Sequence, residues 1–184
     1  MKRYFAGIGS RLAPKEIISV FKMFSKKLIE LDFVLRSGGA DGADLFWENC
    51  YDLYHGSKEI YLPYKNFNKS NSSFHNISDE AKVLAKKYHP VWNNLSDSNK
   101  LFHARNVYQV LGFSLTDPCD MVICWTPEGR TDGKEIGGTS QAIRIANDYN
   151  IPVFNLQNSS DINRLNTFIE LNYSLWQNHQ TATG

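Results

Sequence analysis

The sequence predicts an α/β fold in which helices cover both faces of a mostly parallel five-stranded sheet. Three observations carry that prediction. Short apolar runs alternate along the chain with stretches whose apolar residues recur at helical spacing, the pattern of strands joined by crossover helices. Glycine-rich turns stand behind the first two runs and open the helix behind the fourth, where a parallel strand hands the chain to a helix. Met121-Val122-Ile123-Cys124-Trp125 is apolar at every position, as a central strand buried on both faces requires.

The first strand is Tyr4-Phe5-Ala6-Gly7-Ile8, and it ends in Gly9-Ser10-Arg11. Pro14 suits the first turn of a helix, where an N–H would have no partner anyway. Ile17, Phe21, Phe24, Leu28 and Leu31 then make one apolar stripe over residues 14–31. Phe33-Val34-Leu35-Arg36 is the second strand, followed by the turn Ser37-Gly38-Gly39-Ala40-Asp41-Gly42 and a helix to about Tyr54. Glu59-Ile60-Tyr61-Leu62 is a short third strand, stopped by Pro63. Residues 64–76 lose all periodicity and read as a long loop. Ser78-Asp79-Glu80 opens a helix with a capping hydroxyl and acids that suit the positive helix end; it stops before Pro90. A further helix spans about Asp97 to Leu111 and ends at Gly112. The apolar fourth strand leads through a loop to Gly137-Gly138-Thr139, which opens a helix carrying Ala142, Ile145, Ala146 and Tyr149. Ile151-Pro152-Val153-Phe154 is the last strand, and a closing helix holds Ile162, Leu165, Phe168 and Ile169.

Five strands with these crossovers fit a Rossmann-like three-layer sandwich of order 3-2-1-4-5, with residues 64–112 as a helical insertion. Residues 1–176 read as one domain, and 177–184 as a frayed tail. The order reverses between the first and fourth strands, and ligands of such sheets bind there, outside the carboxyl ends of the strands.

Composition narrows the function. The 184 residues carry a net charge of +1, so the total gives no general attraction to nucleic acid. No run of eighteen apolar residues occurs, so no membrane span is expected. The start, Met1-Lys2-Arg3-Tyr4-Phe5, has no apolar stretch behind it, and a cytoplasmic location is expected. Cys50, Cys119 and Cys124 form no C-x-x-C pair, and the histidines show no ligand spacing. Free buried thiols are expected, with no metal and no cofactor.

Three glycine turns therefore meet at one sheet edge, and a phosphate-bearing ligand is expected there. The amides of Gly9, Ser10, Gly38, Gly39, Gly138 and Thr139 would hold phosphate oxygens. The hydroxyls of Ser10, Ser37 and Thr139 would add donors. Arg11 suits a bidentate phosphate contact and equally a solvated loop. Trp125 suits a stacked base or simple core burial. Asp41 and Asp44 suit ribose hydroxyls; equally, Asp41 is a helix cap and Asp44 a first-turn acid. Arg105, Asn106 and Gln109 form a polar stripe that would close the pocket from the insertion or, the plainer expectation, face water.

At these residues the sequence resembles the superfamily named for DNA-processing protein A (Smf) and the LOG, or lonely-guy, proteins, abbreviated SLOG. Gly9-Ser10-Arg11 is similar to the glycine-serine-arginine turn of DNA-processing protein A. Ser37-Gly38-Gly39-Ala40-Asp41-Gly42-Ala43-Asp44 is similar to its S-G-x-A-x-G-[IA]-D turn, and Gly138-Thr139 with Gln141-Ala142 to its later turn and helix. Ala6-Gly7-Ile8-Gly9-Ser10-Arg11, Cys124-Trp125-Thr126 and Gly137-Gly138-Thr139 resemble a compact single-domain group common in bacteriophage genomes, which would put the protein in the host cytoplasm. The resemblance, with the turns, implies a ligand set of Gly7, Gly9, Ser10, Arg11, Ser37, Gly38, Gly39, Asp41, Asp44, Arg105, Trp125, Thr126, Gly137, Gly138, Thr139 and Gln141. It also implies a homodimer or higher homo-oligomer.

Three functions follow from the resemblance. The first is binding of a nucleotide or nucleotide-derived signal, such as an ADP-ribose derivative, with sequestration as a phage counter-defence. The second is hydrolysis of a nucleoside 5′-monophosphate at its N-glycosidic bond, as in LOG enzymes. Their turn, P-G-G-x-G-T-x-x-E, ends in a glutamate that is Ala142 here, so a catalytic carboxylate would have to come from Asp41, Asp44 or Glu48, with Asp44 and Glu48 the leading candidates. The third is binding of single-stranded DNA, for which Lys65, Lys69, Lys82, Lys86, Lys87, Lys100 and Arg105, interleaved with Phe67, Phe74, Tyr88 and Trp92, offer cations and stacking faces.

Overall fold

The computed structural model describes residues 2–135 and 137–181, with side chains to residue 173. Its five strands are β1 (Arg3–Gly9), β2 (Phe33–Ser37), β3 (Lys58–Ile60), β4 (Met121–Trp125) and β5 (Val153–Asn155). They form one parallel sheet of order β3-β2-β1-β4-β5. The helices are α1 (Ile18–Glu30), α2 (Ala43–Leu53), α3 (Asp79–Lys87), α4 (Asp97–Leu111), α5 (Gly138–Asp148) and α6 (Ser159–Thr181). The α/β, Rossmann-like class and the strand order are those read from the sequence. The helix α6 runs past Gln177, where the sequence places a frayed tail, and residues 182–184 lie outside the described residues.

Alternation along the strands divides the core in two, because successive side chains of a strand point to opposite faces. Phe5, Leu35, Met121, Ile123 and Phe154 point to one face and pack with Phe21, Phe24, Leu28, Trp47 and Leu165. Ala6, Ile8, Val122, Cys124 and Val153 point to the other and meet Ala104, Val107, Ala142, Ile143 and Ala146. Trp47 anchors the first layer, with ring centroids 5.2 Å from Phe5 and 4.5 Å from Phe21. Gly7 serves that packing. A Cβ there would lie 2.8 Å from Trp47 Cγ, so this glycine makes room for an aromatic ring, not for a ligand. The three cysteines are buried and unpaired, and no described helix is long and apolar enough to cross a membrane.

Between β3 and β4 the chain leaves the sheet and builds α3 and α4. The cap at Ser78 forms as the sequence suggests, its Oγ accepting from Ala81 N at 3.2 Å, and the structure adds a second at Ser96, whose Oγ accepts from Asn99 N at 3.2 Å. Gly112 ends α4 at φ 72°, a left-handed conformation that suits glycine. The helix α4 lies between α3, α5 and the sheet. Its second half, Ala104 to Leu111, is buried on every side. That burial decides the site.

Candidate functional site

A cleft of 590 Å³ opens beyond the carboxyl ends of β1 and β4, where the strand order reverses. One wall is Gly9 to Leu12 after β1. A second is Thr126, Pro127 and Glu128 after β4, with Glu135 beyond. The first turn of α5, Gly137 to Ser140, makes the third. The fourth comes from α4, which contributes Asn99, Phe102, His103, Arg105, Asn106 and Gln109. Ala40 and Asp44 close the floor. Of the residues expected from the sequence, the cleft gathers Gly9, Ser10, Arg11, Asp44, Arg105, Thr126, Gly137, Gly138 and Thr139. It does not gather Gly7, Ser37, Gly38, Gly39, Asp41, Trp125, Gln141 or Glu48.

The glycine turn after β2 is committed to the protein itself. Arg105 Nη1 would lie 1.1 Å from a Cβ on Gly38, so Gly38 exists to let that guanidinium in. With the Gln109 amide oxygen facing its donors, Oε1 accepts from Gly38 N at 2.9 Å and from Arg105 Nη1 at 3.2 Å. Ser37 Oγ donates to Gly7 O at 2.7 Å, and Gly39 O accepts from Asn68 Nδ2 at 2.9 Å. Asp41 is exposed outside the cleft. The turn after β1 is largely spent too. Ser10 N donates to Trp125 O at 2.9 Å, Ser10 O accepts from Ala43 N at 3.1 Å, and the Gly9 amide donates to the Asp44 carboxylate. The Trp125 side chain lies in the core of the sheet face that carries Trp47, 5% exposed, rather than over the cleft.

The amides that remain are those opening α5. No side chain caps that helix at Gly137, and the first internal bond to close is Gln141 N to Gly137 O at 3.0 Å. Among the described residues, Gly138, Thr139 and Ser140 therefore have N–H groups without helical partners, along the cleft wall, an arrangement suited to anions. A Cβ on Gly137 would meet nothing within 4 Å. Its freedom is used for the backbone, at φ 155°, and the space above it stays open. Facing this wall, Arg11 is exposed, with Cζ 5.9 Å from the centre of the Phe102 ring. Thr126 Oγ1 accepts from Asn155 Nδ2 at 2.8 Å, which leaves its own proton for a ligand.

The polar stripe of α4 faces inward, against the plainer reading that it meets water. Arg105, Asn106 and Gln109 are 6%, 5% and 2% exposed. Arg105 Nη1 pairs with Asp44 Oδ2 at 3.1 Å in a buried ion pair. Burial pushes the Asp44 carboxyl up, while Arg105 and the amides of Ala40 and Gly9 pull it down. Gln141 is fully buried: Nε2 donates to Ala85 O at 2.9 Å, and Oε1 accepts from Asn106 Nδ2 at 3.2 Å and meets His103 Nδ1 at 2.8 Å. Sequence reasoning missed His103, Phe102 and Asn99, the residues that carry this wall.

Of the carboxylates proposed for catalysis, Asp41 lies outside the cleft, and neither Asp44 nor Glu48 is free to act in it. Asp44 lines it but is held by Arg105 and two backbone amides. Glu48 lies behind it, its Oε1 buried without a partner and its Oε2 4.0 Å from Lys58 Nζ. Burial, with Asp44 and Asp52 nearby, raises the Glu48 carboxyl to about 7 against the opposing Lys58 and Arg105. The folded state thus keeps the Glu48 proton at pH values where the unfolded chain releases it, so stability falls as pH rises from about 4.5 through 7. Glu48→Gln is expected to remove that loss. By urea unfolding, the variant should gain about 2 kcal/mol over the parent at pH 8 and almost nothing at pH 4.5; an equal gain at both pH values would contradict the assignment.

Of the seven basic residues in the insertion, four are paired with acids. Lys82 bonds Asp79, Lys87 Asp148, Lys100 Asp97 and Arg105 Asp44. Lys65, Lys69 and Lys86 are exposed and make no ion pair among the described residues, so about half of the surface cations suggested for a single strand remain open.

The fold and the cleft together define a Rossmann-like α/β protein with a cleft at its topological switch point, walled on one side by a helix start that no side chain caps. Among solved structures, the fold is that of DNA processing protein A. The Helicobacter pylori protein, described for a unique single-stranded DNA binding mode, matches with a TM-score of 0.55 and 18% identity over 96% of this chain and 81% of its own. The Streptococcus pneumoniae protein matches with a TM-score of 0.53 and 16% identity over 91% of this chain and 56% of its own. No protein-family model and no curated protein matches the sequence.

Proposed function

We propose that the cleft binds the phosphate group of a nucleotide or nucleotide derivative and holds it without cleavage, in keeping with sequestration of a nucleotide signal. The observation that carries this reading is the start of α5. Three amides without helical partners line a cleft faced by an exposed arginine. The commitment of Asp44 to Arg105 and the placement of Glu48 off the cleft favour holding over hydrolysis, since an N-glycosidase needs a carboxylate at the reacting bond. A thermal-shift panel of nucleoside mono- and diphosphates and ADP-ribose tests the reading. One ligand should stabilise the protein and be recovered intact by chromatography. Arg11→Ala should weaken that ligand about 10- to 100-fold, the worth of a charge-assisted contact. Release of free base would instead establish the hydrolase, and no stabilisation by any member would sink the pocket.

The fold likeness to the Helicobacter pylori DNA-binding protein favours a second reading, in which the same wall takes the phosphodiester of a single strand. Phe102, half-buried beside Arg11, would offer the stacking face. An oligonucleotide titration separates the two, because affinity for a strand falls steeply with salt. Native mass spectrometry of protein purified from cells would report a co-purified nucleotide and the expected homo-oligomer together.

A further inference from the structure

We propose that His103 couples anion binding in the cleft to proton uptake: Gln141 holds the ring as its Nδ1–H tautomer, Nε2 stays open to the cleft, and a sulfate- or phosphate-type dianion at the start of α5 brings a proton onto Nε2. The proposal rests on the anion site argued above and narrows its ligand to a group carrying two negative charges.

The tautomer follows from the neighbours. Gln141 Nε2 donates to Ala85 O at 2.9 Å, which turns Oε1 toward His103. An amide oxygen only accepts, so Nδ1 at 2.8 Å must carry the hydrogen. That Gln141 orientation is itself held by Asn106, whose Nδ2 donates to Gln141 Oε1 and also to Gly138 O, both at 3.2 Å. The ring is thereby tied through Asn106 to the first residue of α5. His103 lines the cleft, and its Nε2 has no partner among the described residues. Beside it, Arg105, 6% exposed, lines the same cleft, and its buried Nε is a donor with no partner among the described residues.

The charges around the ring decide its protonation. His89 stands edge-on with its ring centroid 4.1 Å away, after α3; Arg105 follows on α4, and Arg144 lies on α5. Burial first, then these three groups, hold His103 below the usual imidazole range, while Gln141 acts the other way. Arg11, Glu128 and Glu135 line the same cleft; Glu135 lies 3.9 Å from Arg130, and neither glutamate bonds the ring. The empty cleft therefore keeps a neutral imidazole. A dianion supplies the opposite charge and makes the imidazolium favourable. The proton comes from solvent and buffer, and no other bond changes.

Sulfate is the probe, because it has no proton to exchange near neutral pH. In the empty protein, nitrogen-15 imidazole spectra should show Nδ1 protonated on His103. Saturating sulfate should move the His103 titration to higher pH and shift the amides of Gly138 and Thr139. Calorimetry in two buffers of different ionisation enthalpy should show proton uptake by the parent and none by His103→Gln, with sulfate bound about tenfold more weakly by the variant at pH 6. Gln141→Leu should release the ring to a mixture of tautomers. An Nε2–H ring in the parent, or sulfate binding at α5 without any change in the His103 titration, would overturn the coupling and leave the anion site standing. Failure of sulfate to perturb Gly138 and Thr139 at all would overturn both.

Discussion

Arg105→Met is expected to destabilise the protein by about 3–5 kcal/mol, the cost of stranding one member of a buried ion pair. Asp44 and Arg105 have side chains only 4% and 7% exposed, 3.1 Å apart. Without the guanidinium, Asp44 keeps the amides of Gly9 and Ala40 but has lost its counter-charge. Its carboxyl then rises further and is protonated more readily. The loss should accordingly shrink as pH is lowered. Asp44→Asn combined with Arg105→Met should recover most of the stability, because a neutral amide still accepts from the two backbone donors. Urea unfolding midpoints of the parent, both single variants and the pair give the coupling. A double variant as unstable as the sum of its singles would mean that the pair does not act as a unit.

Gly38→Ala is expected to cost about 3 kcal/mol and to act through the same pair. The new methyl would sit 1.1 Å from Arg105 Nη1 and 2.8 Å from the Gln109 side-chain amide. An arginine tip can swing away, so the clash itself is soluble. The movement, however, takes the guanidinium off Asp44 and the Gln109 oxygen off the Gly38 amide. The cost is therefore that of the broken pair, with one lost backbone hydrogen bond. In the Arg105→Met background the same alanine meets no guanidinium and should cost under about 1 kcal/mol. An equal cost in both backgrounds would place the strain in the backbone instead.

The fold was legible because its signals are local and repeated. Met121 to Trp125 announces a central strand by being apolar on both faces, and Ser78 and Gly112 mark helix ends of the insertion. The site was legible only in outline. The turns after β1 and before α5 do reach the cleft. The turn after β2, the most glycine-rich, serves packing. From sequence, a glycine that admits a phosphate and one that admits an arginine look alike, since both answer the same lack of a Cβ. The α4 wall did carry a signal. Asn99, Phe102, His103, Asn106 and Gln109 recur at steps of one, three and four residues, one face of a helix. That face is mixed in polarity, and without knowing what packs on either side it reads as solvent.

The sequence by itself determined the order of elements, the parallel sheet and the edge at which its turns gather. These depend on periodicity, on backbone preference and on the handedness of crossovers, all properties of neighbouring residues. Tertiary structure alone decided which donors remain free. Arg105 reaches Asp44 across 61 positions and Gln141 reaches Ala85 across 56. Such contacts use up the polar groups of the second turn while leaving the start of α5 open. A hydrogen-bonding group is available to a ligand only when nothing in the folded chain has taken it, and that is settled by packing between distant segments.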